Sequence, residues 1–394
     1  MYTMKLRENL PEKFRKKTII STENACKLSY DDNTFDRLIA THVMEHLPFP
    51  HEVFDEWSRL LNNLVQYKSY SLYTFDGQLI PSALLPPIYP FFLYLIKVIT
   101  SFKETNFLYS IIFIQIILST YSIYLFYQIN QNFFSNKLSL INSVIFSLFP
   151  LNVYACGQIS SITFYIFFIT LFFFFLLKIP YELNNKYIFY LGLTSGLLIL
   201  LRGEFILLFI FSLIYLFFFY ESVKLKKIIL TLFIASIVLS PYLYRNLIEL
   251  NTLSITKSIG FNLWKGNNPK SNIEGDLKRI VNEYGPIGFE GDLKEKIINL
   301  KIDKYYDANL DNLFLNEAIK NIKSEPKRYV GLYIKKIVSF LFFDLNSSIK
   351  NYYHPLYFFP LIMISISSVI GMLISVKHSK DLNLITLMYL SNIF

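Results

Sequence analysis

The sequence predicts a mainly α, polytopic helical membrane protein with about eight to ten spans. An outer polar loop domain interrupts the spans, and a small α/β fragment precedes them. Three observations predict this. The chain of 394 residues is 53% hydrophobic and 17% charged, against about 25% charge in an ordinary soluble domain. Its apolar residues come in blocks such as 164–177, FYIFFITLFFFFLL, without one charge; a helix apolar on every side needs protein or lipid all round it. Its basic residues gather beside those blocks, at 5–17, 224–227 and 320–336, where flanking charges set membrane topology. The net charge of +9 is therefore read as topology and not as a nucleic-acid surface. Cys26 lies in a polar stretch and Cys156 beside an apolar one, which gives neither a disulfide framework nor a zinc site.

Residues 1–60 hold no apolar run, so no secretory signal is expected. Within 1–63 the pattern predicts a short strand followed by a polar turn over 36–47 and an amphipathic helix at 51–61. Val53, Phe54, Trp57, Leu60 and Leu61 share one side of that helix. The membrane domain is expected over 64–244, with spans near 85–99, 107–127, 138–155, 160–178, 187–219 and 228–244. The block 187–220 is too long for one span of about 20 residues and reads as a helical hairpin. Arg202, Gly203 and Glu204 interrupt it. A charge at a span's centre costs about 2.5–3.5 kcal/mol, so this triplet marks the turn or faces a polar cavity.

Residues 245–350 read as the loop domain, punctuated at 266–269 and 284–286 by Gly, Asn and Pro. Amphipathic helices are expected at 293–306 and 312–323, and 329–343 returns toward the bilayer. The last part, 351–394, carries spans at 355–376 and 383–394 and stops inside an apolar run, as a chain cut there would. Lys224, Lys226, Lys227, Lys377 and Lys380 put loops 220–227 and 377–382 in the cytoplasm, which leaves 245–354 outside. The expected location is a bacterial inner (plasma) membrane, crossed several times, with membrane lipids as partners.

Two resemblances stand on particular residues. Phe35-Asp36 leading a strand, His42-Val43-Met44-Glu45-His46-Leu47 at its end, and Glu56-Trp57-Ser58-Arg59-Leu60-Leu61 in the next helix resemble the later half of a class I S-adenosylmethionine-dependent methyltransferase. The resemblance covers residues 28–61. A glycine-rich turn must let the cofactor approach the backbone in such a fold, yet no glycine precedes Gly77. One strand and one helix also cannot build a parallel sheet buried on both faces. The residues thus argue against S-adenosylmethionine binding and methyl transfer. His42, Glu45 and His46 read as strand-end and turn residues, so no metal site is assigned.

From about residue 64 onward the chain resembles membrane glycosyltransferases of the C-type fold, the protein mannosyltransferase-like family that uses polyprenyl-phosphate sugars. Three places carry the likeness: Pro81-Ser82-Ala83-Leu84-Leu85-Pro86-Pro87-Ile88-Tyr89-Pro90; Leu200-Leu201-Arg202-Gly203-Glu204; and Pro241-Tyr242-Leu243-Tyr244-Arg245-Asn246 followed by Gly260-Phe261-Asn262-Leu263-Trp264-Lys265-Gly266-Asn267-Asn268-Pro269. The resemblance implies transfer of a sugar from a lipid-linked donor to an acceptor at the outer face. Arg245 would pair with the donor phosphate, Asn262 and Trp264 would shape the acceptor side, and Arg202 and Glu204 are further substrate-binding candidates. It leaves the sugar, the acceptor and the use of a divalent metal open.

The family's catalytic Asp belongs to a loop after a first membrane helix, and the methyltransferase-like fragment stands in that place here. Asp76 is the nearest carboxylate, in an Asp-Gly pair that reads as a hairpin turn. The expectation is a glycosyltransferase joined near residues 61–64 to part of a methyltransferase, shortened, and impaired or inactive. A transporter or flippase, a membrane-anchored methyltransferase and a non-catalytic remnant are the other readings. The first is disfavoured by the lack of an internal repeat.

Overall fold

The computed structural model describes residues 50–75, 78–100, 104–181, 185–273, 280–282, 285–287, 289, 291–341 and 353–375, all inside one compact unit of residues 48–394. The described chain is mainly helical, with fourteen helices and two small antiparallel strand pairs. The predicted strand and turn over 36–47, the span at 383–394, and Asp76 lie outside the described residues.

Helix α1 (Pro50–Tyr67) is longer than the predicted 51–61 because its apolar spacing continues to Leu64. Leu60, Leu61 and Leu64 are all buried. Leu61 packs in a cluster with Tyr89, Leu93, Phe164 and Leu201, and Leu60 and Leu64 in another with Tyr70, Leu72, Ile80, Leu200 and Tyr242. The helix therefore runs without a break through the predicted join and seats its last turns in the helical body. Strands β1 (Ser71–Phe75) and β2 (Gln78–Pro81) follow as a hairpin with a bulge between Ser71 and Tyr73.

The body then takes shape from α2 (Ile88–Ile99), α3 (Glu104–Asn130), α4 (Asn136–Ser147), α5 (Pro150–Cys156), α6 (Ile162–Lys178), α7 (Lys186–Leu201), α8 (Phe205–Phe219) and α9 (Leu225–Leu250). The predicted single span at 138–155 is instead two short helices. Pro150 takes the first turn of α5 after an extended Phe149, a position that needs no amide donor. Helix α9 keeps its course through Pro241 because the Ser240 hydroxyl donates to the Ile237 carbonyl (2.9 Å), the acceptor that a proline four residues later leaves unpaired.

Helix α7 is the centre of the body. A Cβ on Gly192 would lie 2.8 Å from Ile234 Cβ and from the Thr231 carbonyl; on Gly196 it would lie 2.6 Å from Val238 Cβ. Both contacts advance by four residues together, so α7 and α9 run parallel, held close by a Gly-x-x-x-Gly face. Helices α6 and α7 run antiparallel: Phe175 stacks on Tyr190 at 5.2 Å, while Phe164 and Leu201 share a cluster at the other end. The ends of α7 and α9 and the starts of α2, α6 and α8 thus gather at one end of the body.

The remaining elements are α10 (Ile259–Gly266), β3 (Ile280–Asn282), β4 (Gly285–Ile287), α11 (Gly291–Ile298), α12 (Tyr306–Ser324), α13 (Pro326–Leu341) and α14 (Pro355–Ser375). Two helices, over 106–130 and 225–250, are long and apolar enough to cross a membrane among the described residues, and five more apolar helices are shorter. This is fewer than the eight to ten spans expected. The physical reason is length: at 1.5 Å per residue, helices of 15–17 residues reach about 22–26 Å, short of the roughly 30 Å hydrocarbon core.

Replacing Gly196 with Ala should cost about 1–3 kcal/mol by overpacking, and Gly192→Ala/Gly196→Ala more. Gly371→Ala, where no atom lies within 4 Å of the added carbon, is the control. Melting temperatures of the purified full chain check this; equal values for all three would show that α7 and α9 do not meet at these glycines.

Candidate functional site

The gathered helix ends carry a polar cap built from three separate parts of the chain. The first is the segment flanking the hairpin. Ser82 returns to Tyr70 through a backbone bond (Ser82 N to Tyr70 O, 3.0 Å). The second is the last two turns of α9. There Arg245 donates from Nη1 to the Ser82 carbonyl (2.8 Å) and to Asn246 Oδ1 (2.8 Å), and from Nη2 to the Tyr70 carbonyl (2.8 Å). Its Nη2 also meets Glu249 Oε2 at 2.9 Å. Asn246, fully buried, donates in turn to the Ser254 carbonyl (2.7 Å). The third part is the first turn of α12, which supplies Asp307.

Asp307 is 4% exposed. Its Oδ2 accepts from the Ser82 hydroxyl at 2.5 Å and from the Ala83 amide at 3.1 Å. Burial pushes its carboxyl above the usual carboxylate range; the Ser82 and Ala83 donors and the Arg245 charge pull the other way, and Asp311 adds to the rise. Burial likewise lifts the Tyr70 phenol well above its ordinary value. The Ala83 carbonyl accepts from the Lys257 amide (2.8 Å), which brings the loop after α9 onto the same spot.

That loop also touches the break between α7 and α8. A Cβ on Gly203 would lie 3.7 Å from Thr256 Oγ1 and 3.9 Å from Ile255. Arg202 is extended, closing α7; its guanidinium lies over the Tyr165 ring at 4.6 Å and 3.6 Å from Glu204. The Arg202 and Glu204 side chains are 39% and 70% exposed. Arg202, Glu204 and Arg245 therefore share one end of the body, with different freedom. Arg245 spends both terminal nitrogens on the protein, whereas Arg202 faces solvent beside an aromatic ring.

Asn262 and Trp264 are elsewhere. Trp264 is 4% exposed and packs with Phe289 (5.4 Å) and Phe314 (5.2 Å) in the core of the polar part, together with Ile297 and Ala318. Gly260 lets α10 cross α12 almost backbone to backbone, since a Cβ there would fall 1.9 Å from the Asp311 carbonyl oxygen. Asn262 is exposed on α10. In this motif the glycine makes a crossing and the tryptophan fills a core.

Sequence reading missed Ser82 as a partner and Asp307 altogether. Ser82 lies inside a motif that was singled out, but Asp307 is one acid in an ordinary amphipathic helix. Among the described residues no group of three His, Cys, Asp or Glu side chains gathers. Of the Asp307 carboxyl, Oδ2 is held by two donors, the Ser82 hydroxyl and the Ala83 amide.

The comparisons with known proteins follow this division of the chain. Residues 85–244 match the family model described as dolichyl-phosphate-mannose-protein mannosyltransferase. This segment is mannosyltransferase-like. Residues 3–64 match a methyltransferase domain, a longer stretch than the 28–61 singled out by motif. No curated protein and no solved structure matches the chain. The mannosyltransferase-like segment runs from Leu85 to Tyr244, so it holds Arg202 and Glu204 and stops one residue short of Arg245. Asn262, Trp264 and Asp307 lie beyond it.

The Asp307 geometry makes a pH prediction. A carboxyl whose folded pKa exceeds its unfolded value keeps its proton longer in the folded state. Stability then falls as pH rises through the window above the ordinary carboxylate value. Asp307→Asn keeps an acceptor for Ser82 and Ala83 and carries no charge. Its melting temperature relative to the parent should therefore rise as pH is raised from about 4, the ordinary carboxylate value; a difference that shrinks or stays constant as pH rises contradicts the assignment.

Proposed function

We propose that residues 64–394 act as a multi-pass membrane glycosyltransferase that moves a sugar from a polyprenyl-phosphate donor to an acceptor at the outer face. The observation that carries this is the mannosyltransferase match over 85–244. In this reading 64–244 is the membrane domain, 245–350 the outer domain and 351–394 the closing spans, while 1–63 is a methyltransferase-like segment without methyl-transfer activity.

The exposed apolar surface supports a lipid environment. Helix α8 leaves Ile206, Leu207, Ile210, Phe211, Ile214 and Phe218 exposed, the last at 73%. Helix α9 does the same with Leu225, Ile229, Phe233 and Ile237. An apolar surface of this extent is stable only when covered.

The polar cap supports a phosphate-directed role for one of the predicted cations. Arg202 is the available one, with its guanidinium over the Tyr165 ring and its side chain partly exposed. Arg245 positions the segments around it. A lipid-linked donor keeps its tail in the bilayer and offers its phosphate at the membrane edge, where a fixed guanidinium stabilises the charge of the leaving phosphate. Glu204, beside Arg202, orients that guanidinium. The carboxylate that activates the acceptor is assigned to Asp76 on sequence grounds alone, and the low activity expected of the chain follows from the lack of the family's acidic loop ahead of Leu64.

The test is sugar transfer by the full chain in lipid vesicles with a polyprenyl-phosphate sugar as donor. Arg202→Ala should raise the donor KM about tenfold or more, and Asp76→Asn should lower kcat by about 10²–10⁴-fold, the usual contribution of one acid–base group. Transfer unaffected by either substitution would refute these roles. Solute uptake that is lost in Arg202→Ala, with no sugar transfer in the parent, would replace the reading with that of a transporter.

A further inference from the structure

Helix α13 carries Lys327, Arg328, Lys335 and Lys336 and no acidic residue. Its charges do two different things. Arg328 Nη2 donates to the Pro269 carbonyl (2.6 Å) and Lys336 Nζ to the Gly266 carbonyl (2.7 Å), two turns apart. Asn321 of α12 donates to the Asn267 carbonyl between them (3.2 Å). The Gly266-Asn267-Asn268-Pro269 loop is thereby clamped along the helix. Arg328 also lies 3.7 Å from Glu325, which partly offsets its charge.

Lys327 and Lys335 take no part in the clamp, and neither has a hydrogen bond or ion pair among the described residues. Both line an open groove of about 520 Å³, with Ser271 and Asn272 on one wall and Arg328 and Gly331 on the other. Among the described residues outside its own helical turn, no atom lies within 4 Å of a Cβ added at Gly331. Alongside the groove runs an apolar stripe at helical spacing: Val330 (59% exposed), Tyr333, Ile334 (56%) and Val338. A helix with an exposed apolar stripe and basic residues beside it is suited to the plane of a membrane interface. There its lysines meet lipid phosphates and its apolar side meets acyl chains.

We infer that this groove binds the headgroup of an anionic membrane phospholipid, with Lys327 and Lys335 as its phosphate contacts and the Val330–Val338 stripe resting on the acyl region. The inference rests on the membrane reading above and adds a lipid site to it, apart from the polar cap. A bound headgroup would hold the polar domain down against the bilayer through the same helix that clamps the 266–269 loop.

The experiment begins with entry of the full chain into phosphatidylcholine vesicles, which tests the membrane reading by itself. A chain that does not enter defeats both that reading and this inference. For a chain that enters, native mass spectrometry of the detergent-solubilised protein then counts retained lipid on addition of phosphatidylglycerol or phosphatidylcholine of the same acyl chains. The parent should retain one phosphatidylglycerol at concentrations that leave phosphatidylcholine unbound. Lys327→Gln/Lys335→Gln should need about tenfold more phosphatidylglycerol, given the attraction of each basic residue to an anionic surface. Lys327→Arg/Lys335→Arg should bind as the parent does. Equal retention by the Gln variant, no preference between the two lipids, or displacement of phosphatidylglycerol by an equal concentration of inorganic phosphate would each overturn the inference.

Discussion

Asp307 is a carboxylate taken almost entirely out of water, and a buried charge of that kind demands partners. It finds them in the Ser82 hydroxyl, 225 residues earlier in the chain, and the Ala83 amide, 224 residues earlier. Arg245 solves the matching problem from the other side by giving its donors to the carbonyls of Tyr70 and Ser82. The hairpin flank, the end of α9 and the first turn of α12 are consequently fixed to one another by polar bonds that exclude alternatives. Apolar packing around Tyr70, Leu72, Ile80, Tyr242 and Tyr306 then fills the space those bonds define. The burial that raises the carboxyl's pKa also makes its bonds worth keeping, because an unpaired buried partner costs more than a made bond contributes.

The height at which this cap sits is set farther down the body. Gly192 and Gly196 let α7 and α9 approach closely, so the end of α7 comes level with Tyr242, which shares a cluster with Leu200, and α9 runs on past it to Leu250. The α7–α8 break then lies against the loop at 255–256, and Arg202 comes out beside Tyr165. A two-way division of labour results: Arg245 holds the architecture, and Arg202 is left partly exposed. Helix α1 belongs to the same construction. Leu60, Leu61 and Leu64, at the end of the methyltransferase-like match, pack inside two clusters of the body.

Much of the helical order was legible because apolar blocks punctuated by Pro, Gly and charge carry both the length and the ends of helices. The break at 202–204 and the strands either side of the 76–77 pair are visible that way. The expected helix ends at 61, whereas its apolar spacing continues to Leu64 and the helix itself to Tyr67. The split of 138–155 was also missed, since Pro150 was read inside a span and not at the start of a new helix. Contacts between distant segments were not legible. Nothing in the sequence marks Asp307 as the partner of Ser82, and Trp264 drew a site assignment although its position among Phe289 and Phe314 is that of a core residue. The role of Gly192 and Gly196, which sit inside an apolar block, depends on what α9 brings opposite.

The claim on which the functional account turns is that a lipid-linked phosphate docks at the polar cap beside Arg202. Its most direct measurement is cross-linking of the vesicle-embedded full chain with a polyprenyl phosphate that carries a photoreactive group next to the phosphate, followed by mapping of the labelled peptides. The account predicts labelling of the Tyr165, Arg202–Glu204 and Ile255–Thr256 segments, competed by unmodified polyprenyl phosphate. Labelling confined to other parts of the chain, or spread evenly over the apolar helices and not competed, would contradict it.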